Sequence, residues 1–484
     1  MTNQTMTNQT ISRTTYLIVA ALLLATPALA QTTNDRFPTP IAATEGVIKV
    51  SFVEFASIPD IAGVAARMML LVDEPGTRRM FVNDMRGPLY SVNYDGKTVT
   101  QYVDLSASAW GLNVQSMGRE RGFQSFDFHP QFNQPGTRGF GRFYTVTDTS
   151  NTAPTPDFRP GGGNHTHDTI LLEWMAKNPA AMTYDGGPPR ELIRFEQPFA
   201  NHNAGQISFN PLASPGDADF GLLYMGFADG GSGGDPLNLA QNRNAAFGKI
   251  LRIDPLGANS ANSKYGIPAN NPFANDGNPN TLGEIYAWGL RNPQRFSWDL
   301  RNGIMLVADI GQGTVEEISL VTAGTNLGWN KWEGSFPFVS RTEVSLANQR
   351  GDSDAIYPIV EYGQLDPLLQ PNSSVTMGYV YRQKAIPQLA NLLLFGDIPS
   401  GEVFYINADN LPKGGQDAIR RILFNDNGMS KTLLQLIKDK NVEQGKAPAM
   451  RADLRFGLGP DGQILVLNKG DGIVRLLVPD GARR

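Results

Sequence analysis

Along this chain, short apolar runs end repeatedly on an Asp or Asn in a polar turn. The copies are Met80-Phe81-Val82-Asn83-Asp84, Phe143-Tyr144-Thr145-Val146-Thr147-Asp148, Leu223-Tyr224-Met225-Gly226-Phe227-Ala228-Asp229, Ile304-Met305-Leu306-Val307-Ala308-Asp309, Leu393-Leu394-Phe395-Gly396-Asp397 and Ile464-Leu465-Val466-Leu467-Asn468. Several continue into a second strand, as in Leu89-Tyr90-Ser91-Val92 and Val403-Phe404-Tyr405-Ile406. The spacing of roughly 65–90 residues is long for a solenoid repeat and suits a propeller blade with loop insertions. One twisted four-stranded sheet cannot bury both of its faces. Packing such sheets radially buries them and leaves only short edges. The pattern therefore predicts an all-β, six-bladed β-propeller over residues 47–484, preceded by an N-terminal extension at 31–46. The alternating segment Val47–Val53 is predicted to complete the last blade and close the ring. Two long irregular stretches, Ser150–Gly163 and Asp254–Gly283, are predicted to crown the propeller as functional or mobile loops.

Composition agrees with a turn-rich, strand-rich chain: 51 Gly and 33 Pro in 484 residues, with 18% charged. The net charge is −5 and no block of Lys and Arg stands out, which excludes a nucleic-acid surface. With no Cys, neither disulfides nor thiolate metal sites contribute. At the N-terminus, Arg13 precedes an apolar run, Tyr16–Ala25, and then Thr26-Pro27-Ala28-Leu29-Ala30. This predicts a signal peptide over residues 1–30, cleaved after Ala30, and hence a periplasmic or secreted protein. The run is shorter than the roughly 20 residues of a spanning helix, so no membrane span is expected in the mature chain.

Four stretches go beyond scaffold. They are Arg121-Gly122-Phe123-Gln124-Ser125-Phe126-Asp127-Phe128-His129-Pro130, Asn201-His202-Asn203-Ala204-Gly205-Gln206, Ile285-Tyr286-Ala287-Trp288-Gly289-Leu290-Arg291-Asn292-Pro293-Gln294 and Ala308-Asp309-Ile310-Gly311-Gln312-Gly313-Thr314-Val315-Glu316-Glu317. Together and in this order they resemble the signature segments of the glucose/sorbosone dehydrogenase family, soluble aldose sugar dehydrogenases that use pyrroloquinoline quinone (PQQ). The resemblance runs from about residue 45 to the C-terminus. It implies hydride transfer from an aldose or related hydroxyl compound to PQQ, with electrons passing on to an acceptor that the sequence does not name. His202 matches the family's general base, a role suited to a group that titrates near neutral pH. Asp229 matches the carboxylate that orients it. Arg291 and Asn292 match residues at the reactive carbonyls of the quinone, where a fixed cation stabilises arriving negative charge. Gly311 and Gln312 match the pair whose backbone carbonyls ligate Ca²⁺.

The chain departs from that pattern on the side that would clamp the cofactor. The family's Lys in the fifth-blade turn falls near Pro399, where no Lys stands. Its closely spaced Arg pair before the last-blade turn is represented by the shifted Arg451 and Arg455, and an expected Gln is replaced near Glu120. PQQ carries three carboxylates, so each lost cation weakens its capture. Two other readings follow from these gaps: a non-catalytic carbohydrate- or protein-binding propeller, and a Ca²⁺-dependent propeller lactonase with a side-chain metal cage. His165-x-His167 offers a metal pair or a lining for the mouth. His129 reads as a buried strand-end residue, and Trp288, Trp329 and Trp332 are candidates for a sugar-stacking wall, with core packing favoured for Trp288.

Overall fold

The computed structural model describes residues 1–2, 36–151 and 154–482. The chain divides into two units, Met1–Thr33 and Asn34–Arg484. The signal-peptide expectation falls almost wholly on residues outside those described. No helix among the described residues is long and apolar enough to cross a membrane.

The second unit is almost entirely β. Its strands pair as successive four-stranded antiparallel groups. The first group is Met68–Glu74, Arg79–Asp84, Pro88–Asn93 and Val99–Asp104. The second is Phe123–Phe128, Arg142–Thr149, His167–Met175 and Arg190–Gln197. The third is Ala204–Phe209, Leu223–Phe227, Lys249–Ile253 and Ile285–Trp288. The fourth is Arg295–Trp298, Met305–Asp309, Val315–Val321 and Val360–Gly363. The fifth is Val375–Tyr381, Leu392–Asp397, Val403–Asn407 and Arg420–Asp426. The sixth takes Arg455–Leu458, Ile464–Leu467 and Ile473–Val478 from the C-terminal end and Ile48–Ser57 from the N-terminal end. That last strand runs antiparallel to Ile473–Val478, with Phe52 opposite Leu477. The alternating N-terminal segment thus pairs where its sequence predicted. Two parallel contacts, Ile48–Ser57 against Arg420–Asp426 and Leu71 against Gly457, join the fifth, sixth and first groups into one sheet.

Apolar layers lie between neighbouring groups. Leu70 packs with Phe123, Phe126 and Trp174 of the second group, while its neighbour Leu71 packs with Leu465 and Leu467 of the sixth. Alternate side chains of one strand therefore enter different layers, because a strand's side chains point to opposite faces in turn. With both faces buried, the strands read as continuous apolar runs, which is why Leu223–Phe227 and Ile464–Leu467 carry no polar alternation. The first strands of consecutive groups are neighbours, and Arg455–Leu458 of the sixth also neighbours Met68–Glu74 of the first.

The recurrent acid ends the second strand of each group. Asp84, Asp148, Asp229, Asp309, Asp397 and Asn468 are all buried. Most of them hold the segment that enters the first strand of their own group. Asp84 accepts from Arg67 N, Asp148 from Gly122 N, Asp309 from Arg291 N and Asn292 N, and Asp397 from Ser374 N. An unpaired backbone N–H in such a place would be costly, so the turn acid is a structural tie.

Two features depart from the sequence reading. An α-helix, Leu433–Glu443, follows the fifth group and packs Leu433, Leu434, Leu436 and Ile437 inward. Its start is a capping box, in which Thr432 accepts from Gln435 N and the Gln435 side chain accepts from Thr432 N. The Asp254–Gly283 stretch, expected with Ser150–Gly163 to crown the propeller, leaves from the opposite end to it. Phe227 pairs with Lys249 and Leu223 with Ile253, so the chain leaves Ile253 at the end opposite Asp229. The Ser150–Gly163 stretch does leave from the Asp229-type end, since it follows Thr149 beside the entry to Phe123.

Candidate active site

The entries to the first strands and the exits from the second strands meet at one end, around a cavity of about 340 Å³. His202, Arg291, Asn292, Glu120, Gly311, Gln312, Arg451 and Arg455 all line it. Asp229 stands directly behind His202.

In the third group the turn acid takes a side chain where other groups take a backbone N–H. Asp229 Oδ1 lies 2.7 Å from His202 Nδ1 and accepts from Gly231 N at 2.9 Å. Its Oδ2 accepts from Trp329 Nε1 at 2.9 Å. Burial pushes the Asp229 carboxyl up, but His202, followed by Arg291 and the Gly231 N–H, outweighs burial and holds it below the usual range. An ionised carboxylate only accepts, so Nδ1 carries a proton and donates to Asp229, which leaves Nε2 as the ring nitrogen for proton exchange. Nε2 has no hydrogen-bond partner among the described residues. His202 sits at φ 57°, a region non-glycine residues seldom occupy. Its backbone N–H is held at 2.8 Å by Glu120 Oε2. The strained backbone and the two carboxylates together aim one ring nitrogen at the cavity.

The Arg291-Asn292 corner is fixed from below by Asp309, whose two oxygens accept the backbone N–H groups of both residues at 2.8 and 2.6 Å. Burial raises Asp309 to about 7 despite these bonds. The guanidinium of Arg291 donates to the Ile310 carbonyl at 2.7 Å and to Gln312 Oε1 at 3.2 Å, and lies 5.7 Å over the Trp329 ring.

Beside it, four consecutive backbone N–H groups, from Gln312 to Val315, converge on one oxygen, Glu333 Oε1, at 2.8–2.9 Å. A trans peptide points its C=O opposite its N–H. The carbonyls of Gly311 and Gln312, which share peptide planes with Gln312 N and Gly313 N, therefore point away from Glu333. Neither accepts a hydrogen bond among the described residues. Gly311 is required here for a steric reason: a Cβ would lie 1.6 Å from the Val315 carbonyl oxygen. Sequence reasoning missed Glu333, which lies on a two-residue strand, Trp332–Glu333, and carries no motif.

The cavity wall also holds two cations that the sequence reading did not assign, Arg119 and Lys469. With Arg291, Arg451 and Arg455 they set five cationic side chains against two carboxylates, Glu120 and Asp453. Arg455 donates to Gln294 Oε1 at 3.1 Å, and burial lowers it to about 10. Arg451 pairs with Asp453 at 3.0 Å.

Other candidates lie elsewhere. His165 pairs with Asp168 at 2.8 Å, while His167 is fully buried beside Thr166 and is lowered to about 4 by burial and then by Arg121. The two are engaged separately and neither lines the cavity. None of the three Trp candidates forms a stacking wall. Trp329 is buried under Asp229, Trp332 packs edge-on to Tyr357, and Trp288 lies beneath Arg243. Glu316 ties two groups by accepting from Gln364 and from Val375 N. Glu317 is raised well above the carboxylate range by burial and by Asp309, Glu361 and Glu333. His129 is buried at a strand end as expected, and burial lowers it to about 4. Among the described residues, no group of three or more His, Cys, Asp or Glu is arranged to hold a metal ion.

This fold is shared with sugar dehydrogenases of known structure. The PQQ-bound aldose sugar dehydrogenase of Streptomyces coelicolor aligns over 87% of this chain and 97% of its own, with a TM-score of 0.52 and 18% identity, a likeness of fold. At the level of sequence, the glucose/sorbosone dehydrogenase family model matches residues 190–428. The HIPL1 protein of Arabidopsis thaliana is 31% identical over 356 residues, 67% of this chain and 50% of the relative. Quinoprotein glucose dehydrogenase B of Acinetobacter calcoaceticus is 24% identical over 340 residues, 67% of this chain and 64% of the relative. The chain spans about half the length of the HIPL relatives.

Proposed function

We propose that the chain is an exported six-bladed β-propeller quinoprotein that oxidises an aldose, or a related hydroxyl compound, with PQQ and Ca²⁺ as cofactors. The observation that carries this reading is the His202–Asp229 couple facing Arg291 in one cation-rich cavity. The six four-stranded groups and the neighbouring first strands support the propeller. Similarity to the Acinetobacter quinoprotein glucose dehydrogenase supports the chemistry, and the Streptomyces structure supports the fold.

The residues present fit the cofactor. Five basic side chains against two carboxylates suit an anionic ligand such as a tricarboxylate. A cavity of about 340 Å³ is within the range of small-molecule sites. Two unengaged carbonyls, at Gly311 and Gln312, are the hard oxygen donors that Ca²⁺ takes. When bound, PQQ supplies the hydride acceptor. Arg291 and Asn292 hold its reactive carbonyl region, and Arg451, Arg455 and Glu120 border its acidic end. His202 Nε2 accepts the proton of the sugar's anomeric hydroxyl. Asp229 keeps the ring in the competent tautomer and stabilises the imidazolium that forms. The product is a lactone, which water opens to the acid.

The lactonase alternative calls for a side-chain metal cage at the channel, and no group of three or more His, Cys, Asp or Glu among the described residues offers one. A non-catalytic propeller is the second reading: the HIPL1 protein, whose name states no activity, is 31% identical to this chain and the quinoprotein 24%. The test adds Ca²⁺ and PQQ to the purified chain and follows sugar-dependent reduction of a dye across a panel of aldoses, with His202→Ala in parallel. Saturable turnover that disappears in the variant supports the reading. PQQ binding without turnover on any sugar moves the binding-propeller reading ahead.

A further inference from the structure

The turn of the sixth group brings to the cavity a Lys that the sequence reading did not assign. Lys469 follows the strand Ile464–Leu467 in a turn that is held tightly. Asn468 is fully buried, accepts from Gly470 N at 2.7 Å and Asp471 N at 2.9 Å, and donates to Asp471 Oδ1 at 2.7 Å. Asp471 in turn pairs with Arg475 at 2.6 Å. The backbone under Lys469 is therefore fixed, and its side chain forms part of the cavity wall. Nζ donates to the Arg119 carbonyl at 3.1 Å and has no other hydrogen-bond partner among the described residues. An ammonium has three donors, so two remain for a ligand.

The surroundings are those of an anion site. Arg455, Arg67 and Arg295 act on Lys469 from the sixth, first and fourth groups, with Asp453 as the main opposing charge. Asp453 is already paired with Arg451, and Glu120, across the same end, is spent on His202 N.

We propose that Lys469 binds a carboxylate of the quinone cofactor, replacing from the sixth group the cation that the fifth group's turn lacks at Pro399; this rests on the cofactor reading above. The charge-clamping half of the site is relocated around the ring rather than lost. Burial, and then the neighbouring guanidiniums, hold Lys469 well below the usual amine range in the free cavity. An incoming carboxylate reverses that balance, so binding draws a proton onto Lys469. Proton uptake on binding means that affinity falls as pH rises, by up to about tenfold per pH unit for one proton.

The experiment titrates the purified full chain, loaded with Ca²⁺, with PQQ by absorbance and by calorimetry in buffers of different ionisation enthalpy. It compares wild type with Lys469→Gln and Lys469→Arg. A charge-assisted bond is lost in Lys469→Gln, so its affinity is expected to drop about ten- to a hundredfold. Proton uptake should vanish in the same variant, and Lys469→Arg should restore most of the affinity. Circular dichroism and melting temperature identify a variant that has failed to fold, and Lys469→Arg then carries the comparison through its loss of the pH slope. Equal affinity and equal proton uptake in wild type and Lys469→Gln overturn the proposal while leaving the cofactor reading intact. Failure of wild type to bind PQQ overturns both.

Discussion

Replacing Asp229 by Asn tests the coupling at the heart of the site, because the amide nearly matches the carboxylate in shape and cannot match its bonds. Asp229 accepts three hydrogen bonds: from His202 at 2.7 Å and Gly231 at 2.9 Å on one oxygen, and from Trp329 at 2.9 Å on the other. With the amide oxygen toward His202, the NH₂ group meets the indole N–H donor to donor. With the oxygen toward Trp329, the NH₂ meets the Gly231 N–H and turns His202 into the tautomer protonated at Nε2, which cannot accept a proton. Each orientation loses at least one buried bond, worth about 1–3 kcal/mol, and both lose the charge that stabilises the imidazolium. Correctly placed general-base catalysis is worth about 10²–10⁴ in rate. Asp229→Asn is therefore expected to lose most of that factor in kcat, with PQQ affinity unchanged and folding stability lowered by about 1–3 kcal/mol. Stopped-flow reduction of the loaded cofactor by sugar, alongside a denaturant melt, measures both. Retention of wild-type kcat and pH–rate profile would refute the proposed couple.

Further outcomes follow from other parts of the structure. Glu333→Ala removes the acceptor of four N–H groups beneath Gly311 and Gln312, so Ca²⁺ affinity should fall in a metal titration, whereas Glu333→Gln keeps one oxygen and should fall less. Gly311→Ala drives a Cβ to within 1.6 Å of a backbone oxygen, and it should lose Ca²⁺ binding even where the melt shows a folded protein. Lys249 is lowered to about 7 by burial, and its Nζ donates to three carbonyls. Between that value and its ordinary 10.5 the unfolded chain binds the extra proton, so this group makes stability rise with pH by up to about 1.4 kcal/mol per unit; Lys249→Met should flatten that slope in urea melts taken from pH 7 to 10. Because Asp229 is held below its ordinary value, its contribution to stability is complete above about pH 4. It is lost on acidification through the folded value, a loss that Asp229→Asn should not show.

The second strands and their terminal acids were legible because burial on both faces forces an unbroken apolar run and a buried turn needs an acceptor. His202, Arg291, Asn292, Gly311 and Gln312 were legible as motif, and they meet because each enters or leaves a strand at the same end. The helix Leu433–Glu443 was overlooked, although Thr432 and Gln435 form its capping box, since attention to period-two alternation leaves a lone helix unmarked. Lys469 and Glu333 were illegible for a different reason, and Trp329 was read as a sugar-stacking candidate rather than as the donor to Asp229. None of the three stands in a motif with the residues it meets, and sequence spacing carries no information about which turns face each other. The end from which the Asp254–Gly283 loop leaves was not legible without strand register, which the pairing of Phe227 with Lys249 settles.

The recurrent buried acid has a consequence for how such a protein acquires or changes an activity. A chain assembled from copies of one hairpin carries a desolvated acceptor in every copy before any copy has a task. In the third, the donor is the imidazole of His202, which on the proposed function turns a structural fastening into half of a proton-transfer pair, while the remaining copies go on holding their own strands. Novelty at one turn then costs little elsewhere, and transplanting the imidazole to the residue facing Asp397 or Asp148 becomes a concrete route to moving the chemistry around the molecule.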